Sequence, residues 1–238
     1  MFLKFLRLEI KSFFRGTSVC VNLFMKILRF IAILYFMACL AGGAFQIFQR
    51  YRKSGMRIIS GTLKGKMINP PAKYDARPTT DFAKEGLFNV LMGEVDLEEA
   101  VMLDLFSGTG SISYEAASRG CRDIVAVEMN PVNAGFIKKT AASLGIKGMQ
   151  VVHHNVFDFI GICTKRFDFV FADPPYAIAG LDTLPAKILG SSFLADDGLF
   201  VLEHPAAYSF DNEPGFVKER KYGNVHFSFF RKNIEKKS

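Results

Sequence analysis

Five short apolar runs, VMLDLF (101–106), DIVAVE (123–128), MQVVHH (149–154), FDFVFA (167–172) and LFVLEH (199–204), constrain this chain more than anything else in it. Each has the length of a strand, and none alternates strictly between apolar and polar, which is the texture of strands covered on both faces. Helical stretches lie between them, around 111–119, 131–144 and 181–190. Buried strands alternating with helices build a doubly wound, mostly parallel α/β sheet, because each crossover returns the chain to its starting edge. The final runs, FVKERKYG and NVHFSFFRK, meet at a Gly-Asn turn with no helix between them and predict an antiparallel hairpin at the end of the sheet.

Ahead of the sheet, residues 56–69 alternate apolar and polar side chains around Gly61 and Gly65, the pattern of a small β-hairpin. After Pro70 and Pro71 comes a polar loop. Thr80 or Asp81 then caps a helix running to about Met92, with Phe82, Leu87, Phe88 and Leu91 on one face. The chain thus divides into a segment 1–55, an extension 56–100 and a sheet domain 101–232.

The charge of +7 belongs to the first segment. Of 30 Lys and Arg and 23 Asp and Glu in the chain, nine bases and one acid, Glu9, fall in 1–55, which leaves a net of −1 beyond it. Residues 30–48 carry no charge, and at about 1.5 Å rise each they nearly cross a hydrocarbon layer of about 30 Å. Basic residues flank both sides, so the positive-inside rule does not orient the stretch, and no small-x-small site marks a secretory leader. Three readings stand: a membrane anchor carrying a cytosolic domain, a start codon assigned upstream of Met56, or a buried apolar helix. The cysteines at 20, 39, 121 and 163 form no CxxC pair, which excludes the spacing of a thiolate zinc site and suits a reducing compartment.

Ligands of open α/β sheets bind beyond the carboxyl ends of the strands. The first such turn here is DLFSGTGS (104–111), where Gly108 and Gly110 permit positive φ and a close ligand, and the next helix presents free N–H groups. A purely structural tight turn would look the same. The third glycine of a dinucleotide fingerprint is absent, since Ser113 occupies its place, so NAD loses ground. Glu128 ends the second strand, where a carboxylate can accept hydrogen bonds from ribose hydroxyls; the alternative is an ordinary acid at a strand end. Asp104 suits a cationic group better than a phosphate. A ligand with a ribose, a positive charge and no phosphate is S-adenosylmethionine.

Asp173, Pro174, Pro175 and Tyr176 follow a very apolar strand and form the most specific signal in the chain. Proline fixes φ and lacks an N–H, so this loop is rigid and offers acceptors. If the Asp173 carboxylate and the Pro174 carbonyl take the two hydrogens of a nucleobase amine, the nitrogen lone pair is freed for attack and Asp173 can receive the proton. Tyr176 gives the base a face to stack on. A capping Asp in a rigid turn is the plainer alternative.

With those residues in place, the sequence resembles the class I S-adenosylmethionine-dependent methyltransferases, and within them the RsmD-like family that methylates guanine N2 in 16S ribosomal RNA. The resemblance covers nearly all of 56–232 and rests on RIISGTLKGK (57–66), RPTTDFAKEGLFNVL (77–91), DLFSGTGSISYEAASRG (104–120), VEMN (127–130), DFVFADPPY (168–176) and LEH (202–204). It implies a Rossmann-like sheet of seven strands and a cytoplasmic, metal-free, monomeric enzyme acting on the assembling small ribosomal subunit. It further implies that Asp104, Phe106, Gly108 and Gly110 surround the methionine part of the cofactor. Glu128 meets the ribose, Met129 an adenine face, and Asn155 with Val156 the adenine edge.

Family members tend to carry Asp at position 155 and Arg at position 82; Asn155 and Phe82 depart from that pattern. Because the domain is nearly neutral, RNA requires a local basic surface. Arg57, Lys64, Lys66, Lys73, Arg77 and Lys84 supply one that could lie alongside the Asp173 loop. His153 and His154 have no partner cluster in the sequence and read as structural, and His204, after Glu203 at a strand end, reads as packing rather than catalytic.

Two competing functions remain at this level. One keeps the cofactor and changes the acceptor to adenine N6 in DNA. The other is a non-catalytic, membrane-tethered binding protein that has kept the fold.

Overall fold

The computed structural model describes residues 56–70 and 80–232. The uncharged stretch 30–48, together with Lys73 and Arg77, lies outside the described residues. Among the described ones, no helix is long and apolar enough to cross a membrane.

The extension opens with two short antiparallel strands, β1 (Met56–Arg57) and β2 (Met67–Ile68), followed by helix α1 (Asp81–Leu91). Thr80 is its N-cap, accepting from the Ala83 N–H at 3.2 Å. Then come β3 (Val101–Leu105), α2 (Ser111–Ser118), β4 (Asp123–Glu128), α3 (Pro131–Ser143) and β5 (Met149–His153). After α4 (Val156–Ile162) follow β6 (Phe167–Ala172), a 3₁₀ turn (Leu181–Thr183), α5 (Leu184–Leu189), β7 (Leu194–His204), β8 (Phe216–Tyr222) and β9 (Val225–Arg231).

The last seven strands form one sheet in the order β5-β4-β3-β6-β7-β9-β8. Five are parallel, and β9 runs antiparallel between β7 and β8. The chain winds outward from β3 to β5, then returns to place β6 on the other side of β3. That reversal leaves a crevice at the carboxyl ends of β3 and β6. Strands β3, β4 and β6 are covered on both faces, which explains their unbroken apolar runs, but MQVVHH, also expected to be covered, forms the edge strand β5 and has no buried residue. Leu103, Leu105, Val127, Val170 and Leu202 pack with residues of α4 and α5, while Met102, Ile124, Phe169, Phe171 and Val201 pack with residues of α1 and α2.

The structure corrects several expectations. Strand β7 begins at Leu194, five residues before the apolar run. The helix expected over 181–190 is a 3₁₀ turn followed by a short α-helix, with Pro185 in its first turn. Helix α4 has no counterpart among the expected elements because VFDFIGI is too short and too uniformly apolar to show a helical period. Phe82 does not join Leu87, Phe88 and Leu91 in the core: it is 68% exposed and meets the Tyr222 ring edge-on at 5.6 Å.

The hairpin runs along α2. Met56 lies at that helix's start, where its Sδ accepts from Thr109 Oγ1 at 3.5 Å, and Thr62 N–H bonds Ser118 O at 2.7 Å at its end. Gly61, with φ +79°, lets the two backbones touch, since a Cβ there would stand 1.8 Å from Ser118 O. Its tip, with Lys64, therefore lies about 10 Å along the helix from the glycine turn.

Candidate active site

The turn after β3 is built on unusual backbone. Phe106, Gly108 and Gly110 have φ of +59°, +56° and +82°. A Cβ on Gly110 would also meet the ring of Tyr114 at 2.8 Å. Tyr114 is fully buried and packs with Met56, Ile58 and Ile137, so the hairpin and α3 support the turn from below. Ser107 N–H bonds Val127 O at 3.0 Å, and Ser107 Oγ donates to Asp104 O at 2.6 Å, pinning the turn to β4 and to its own strand.

Glu128 closes β4, nearly buried, and its carboxylate accepts from Gly108 N–H at 2.8 Å and Asn130 N–H at 2.7 Å. Two oxygens offer about four acceptor positions, so two remain for ligand hydroxyls. Asp104 is buried at the end of β3 and accepts a short hydrogen bond from Ser113 Oγ. Burial pushes its carboxyl up to about 7 in spite of that bond. Ser113 thus does more than stand where a dinucleotide site has glycine; it orients Asp104. A Ser nine residues after an Asp carries no sequence signal until strand and helix are placed together.

Asp173, half-buried, sits one residue beyond β6. Leu105 pairs with Ala172, and Asp173 N–H reaches Leu105 O at 3.4 Å, so the two loops leave the sheet side by side. Burial, then the neighbouring Asp104 charge, pushes the Asp173 carboxyl up to about 7. A cation relieves both effects, so this pair fits a positively charged ligand and opposes a phosphate. Pro174 is buried, Pro175 and Tyr176 are exposed, and the Ile178 N–H to Pro175 O bond of 2.9 Å closes the turn.

On the other side of the glycine turn, Met129 is 62% exposed, and its carbonyl is held by His153 Nε2 at 2.9 Å. Asn155 caps α4, accepting from Phe157 N–H at 2.8 Å, with Nδ2 turned to Met129 Sδ at 3.6 Å. The Val156 side chain is buried, which leaves its backbone to meet a ligand. Phe106 contacts Phe157 edge-to-face, closing this end of the cleft.

The basic surface is only partly as expected. Lys64 and Lys66 are exposed, and Arg57 is exposed and ion-paired to Asp81 at 2.9 Å. Lys84 is buried. Its Nζ donates to Arg57 O at 2.6 Å and Ser111 Oγ at 3.3 Å and lies 3.8 Å from Glu115 Oε2. Burial lowers its pKa, opposed by Glu115. It fastens α1 to the hairpin and α2, and so is withdrawn from any RNA surface. Glu115, also buried, accepts from the Ile59 and Ser60 N–H groups and from Arg119 Nε, a network with no mark in the sequence.

A family described as conserved hypothetical protein 95 matches residues 56–231. The chain belongs to that family. Among its relatives are proteins named ribosomal RNA small subunit methyltransferase D. That of Buchnera aphidicola subsp. Baizongia pistaciae is 28% identical over 181 residues, covering 74% of this chain and 92% of the relative. That of Escherichia coli K12 is 27% identical over 186 residues, covering 77% and 93%. The solved structure of a hypothetical protein from Thermus thermophilus superposes with a TM-score of 0.66 at 30% identity, covering 74% of this chain and 99% of that one. Within the conserved hypothetical protein 95 family, the fold described above is therefore shared over nearly the whole length of the relatives.

Proposed function

We propose that this chain is a methyltransferase that moves a methyl group from S-adenosylmethionine to the exocyclic N2 of a guanine in 16S ribosomal RNA, on the assembling small subunit. The carrying observation is the junction of β3 and β6, where the Leu105–Ala172 pairing and the Asp173 N–H to Leu105 O contact bring Asp104 and Asp173 to one crevice. Relatives named for small-subunit rRNA methylation support the choice of acceptor.

Asp104, Phe106, Gly108 and Gly110 hold the methionine end of the cofactor, Glu128 the ribose hydroxyls, and Met129, Asn155 and Val156 the adenine. Bound there, the cofactor supplies a methyl on a sulfonium. Asp173 and the Pro174 carbonyl accept the two hydrogens of the guanine amine, which turns its lone pair out of conjugation, and Asp173 takes the released proton. Pro175 keeps the loop rigid, and half-exposed Tyr176 stacks on the base. Positioning and charge do the catalysis.

Residues 56–100 form the RNA-contacting extension. Arg57, nearest the glycine turn, holds phosphate close to the target, Arg77 adds a second guanidinium to the RNA-binding set, and Lys64 and Lys66 hold RNA farther along α2. Phe82 presents an aromatic face where relatives place an arginine, so stacking replaces an ion pair there. The enzyme works as a monomer in the cytoplasm, where its substrate is assembled.

Labelled methyl transfer to undermethylated small subunits, set against duplex DNA, tests the reading. Label is expected in the 16S RNA, and label in DNA alone would overturn it in favour of adenine N6. Asp173→Ala should lose roughly 10²–10⁴-fold in turnover while calorimetry shows cofactor binding retained; unchanged function in that variant would mark a non-catalytic protein.

A further inference from the structure

The antiparallel end of the sheet gathers three side chains that the proposed reaction does not use. His204 closes β7, His226 faces it from β9, and Glu219 lies on β8. Their ligating atoms all fall within 4.8 Å of one another, and no other such trio exists among the described residues. Glu219 Oε1 is 2.7 Å from His226 Nδ1 and 3.9 Å from His204 Nε2. An ion bound tetrahedrally at about 2.0–2.1 Å keeps its ligands roughly 3.4 Å apart. The two spacings to Glu219 bracket that value, and with all three ligand atoms inside 4.8 Å, side-chain shifts of about 0.5–1.4 Å form the site.

His204 already holds the tautomer of a ligand, and its Nε2 becomes available once the Ser228 hydroxyl rotates away from it. Its Nδ1 lies 3.1 Å from Pro205 O, which can only accept, so Nδ1 carries the proton and Nε2 turns its lone pair into the cluster, where Ser228 Oγ donates at 2.8 Å. A backbone carbonyl holding the far nitrogen is the usual support of a metal-bound histidine. Phe210 covers the ring edge-on at 4.9 Å. The nearby cation, Lys221, sits 3.0 Å from Glu219 Oε2, but its side chain is 62% exposed and can swing into water.

We propose that His204, Glu219 and His226 bind one Zn²⁺, with water as fourth ligand, and so tie β7, β9 and β8 together one strand over from Asp173. Two imidazoles and a carboxylate without thiolate suit Zn²⁺ among the divalent ions. Binding takes His226 as its Nε2–H tautomer, so the proton that Nδ1 holds towards Glu219 is exchanged through solvent for one on Nε2. The sequence hid the trio because His204 lies 15 residues before Glu219, and only the β7–β9 and β8–β9 registers bring them together.

The full chain, stripped with chelator, is titrated with Zn²⁺ against a chromophoric competitor and with Co²⁺ as a spectroscopic probe. Expected are one equivalent bound, a four-coordinate cobalt spectrum without a thiolate charge-transfer band, and a Tm rise of roughly 5–10 °C at a hundredfold excess over Kd. Glu219→Gln and His226→Gln, which leave the fully buried His204 in place, should keep the metal-free Tm within a few degrees yet bind at least tenfold more weakly and lose the cobalt spectrum. Failure of the wild type to bind, a thiolate band, or wild-type affinity in both variants would overturn the site and leave a hydrogen-bonded histidine pair.

Discussion

Asp104 and Asp173 make the cofactor-free protein sensitive to pH in a direction opposite to the ordinary acid transition. Both carboxyls titrate near 7 when folded and near 3.8 in an unconstrained chain. Between those values the folded state holds protons that the unfolded state has released, so stability falls as pH rises. Urea unfolding from pH 4.5 to 7.5 should show that slope, and Asp104→Asn, which removes one titrating group, should flatten it. Under the proposed mechanism the sign reverses for activity, because there Asp173 must be ionised to accept hydrogens. The acidic limb of kcat/KM should rise towards pH 7, with an apparent pKa that belongs to the carboxyl pair. Gly110 poses a different residue-level constraint. Its positive φ alone costs a substituted alanine about 1–2 kcal/mol, and the new methyl would strike Tyr114. Gly110→Ala should therefore lower the urea midpoint as well as weaken cofactor binding.

At the level of elements, the buried Glu115 joins three pieces of chain. It takes two N–H groups from the hairpin, the guanidinium of Arg119 beyond the end of its own helix, and the charge of Lys84 from α1. Glu115→Ala strands the buried Lys84, the part-buried Arg119 and two N–H groups, so a loss of about 3–5 kcal/mol is expected. Hydrogen exchange should show residues 56–70 opening before the sheet does. This network also explains why Lys84 does not serve the RNA surface that its sequence neighbours suggest: a lysine in a charged stretch looks solvated until helix α1 is docked with its Leu87–Phe88–Leu91 face inward. The helix itself was legible, since Thr80 caps it and those apolar residues set its face. Strands β3, β4, β6 and the second half of β7 were legible for the same kind of reason, because burial on both faces leaves continuous apolar runs, whereas β5 lies at the sheet edge with no buried residue. Helix α4 and the first half of β7, which begins with the polar LADDG, carry no such mark.

For the whole molecule, a near-neutral domain must hold RNA through a small set of cations, so binding should be strongly but not extremely dependent on salt. Replacing Lys64 and Lys66 by alanine should reduce the slope of log K against log salt by about 0.7–0.9 for each phosphate no longer neutralised, without altering cofactor affinity. Loss of methyl transfer with an unchanged slope would place the RNA elsewhere. What the one-dimensional order of residues determined was the class of fold, the glycine turn and the Asp-Pro-Pro-Tyr loop, because buried strands, positive-φ turns and proline rigidity are local properties written in residue type. What only the folded chain decided was adjacency. That β6 lies against β3 and puts Asp173 beside Asp104, that Ser113 orients that carboxyl, that Lys84 is buried, and that His204 meets Glu219 and His226 all depend on strand order and register. These are set by the packing of distant segments, which no local pattern encodes.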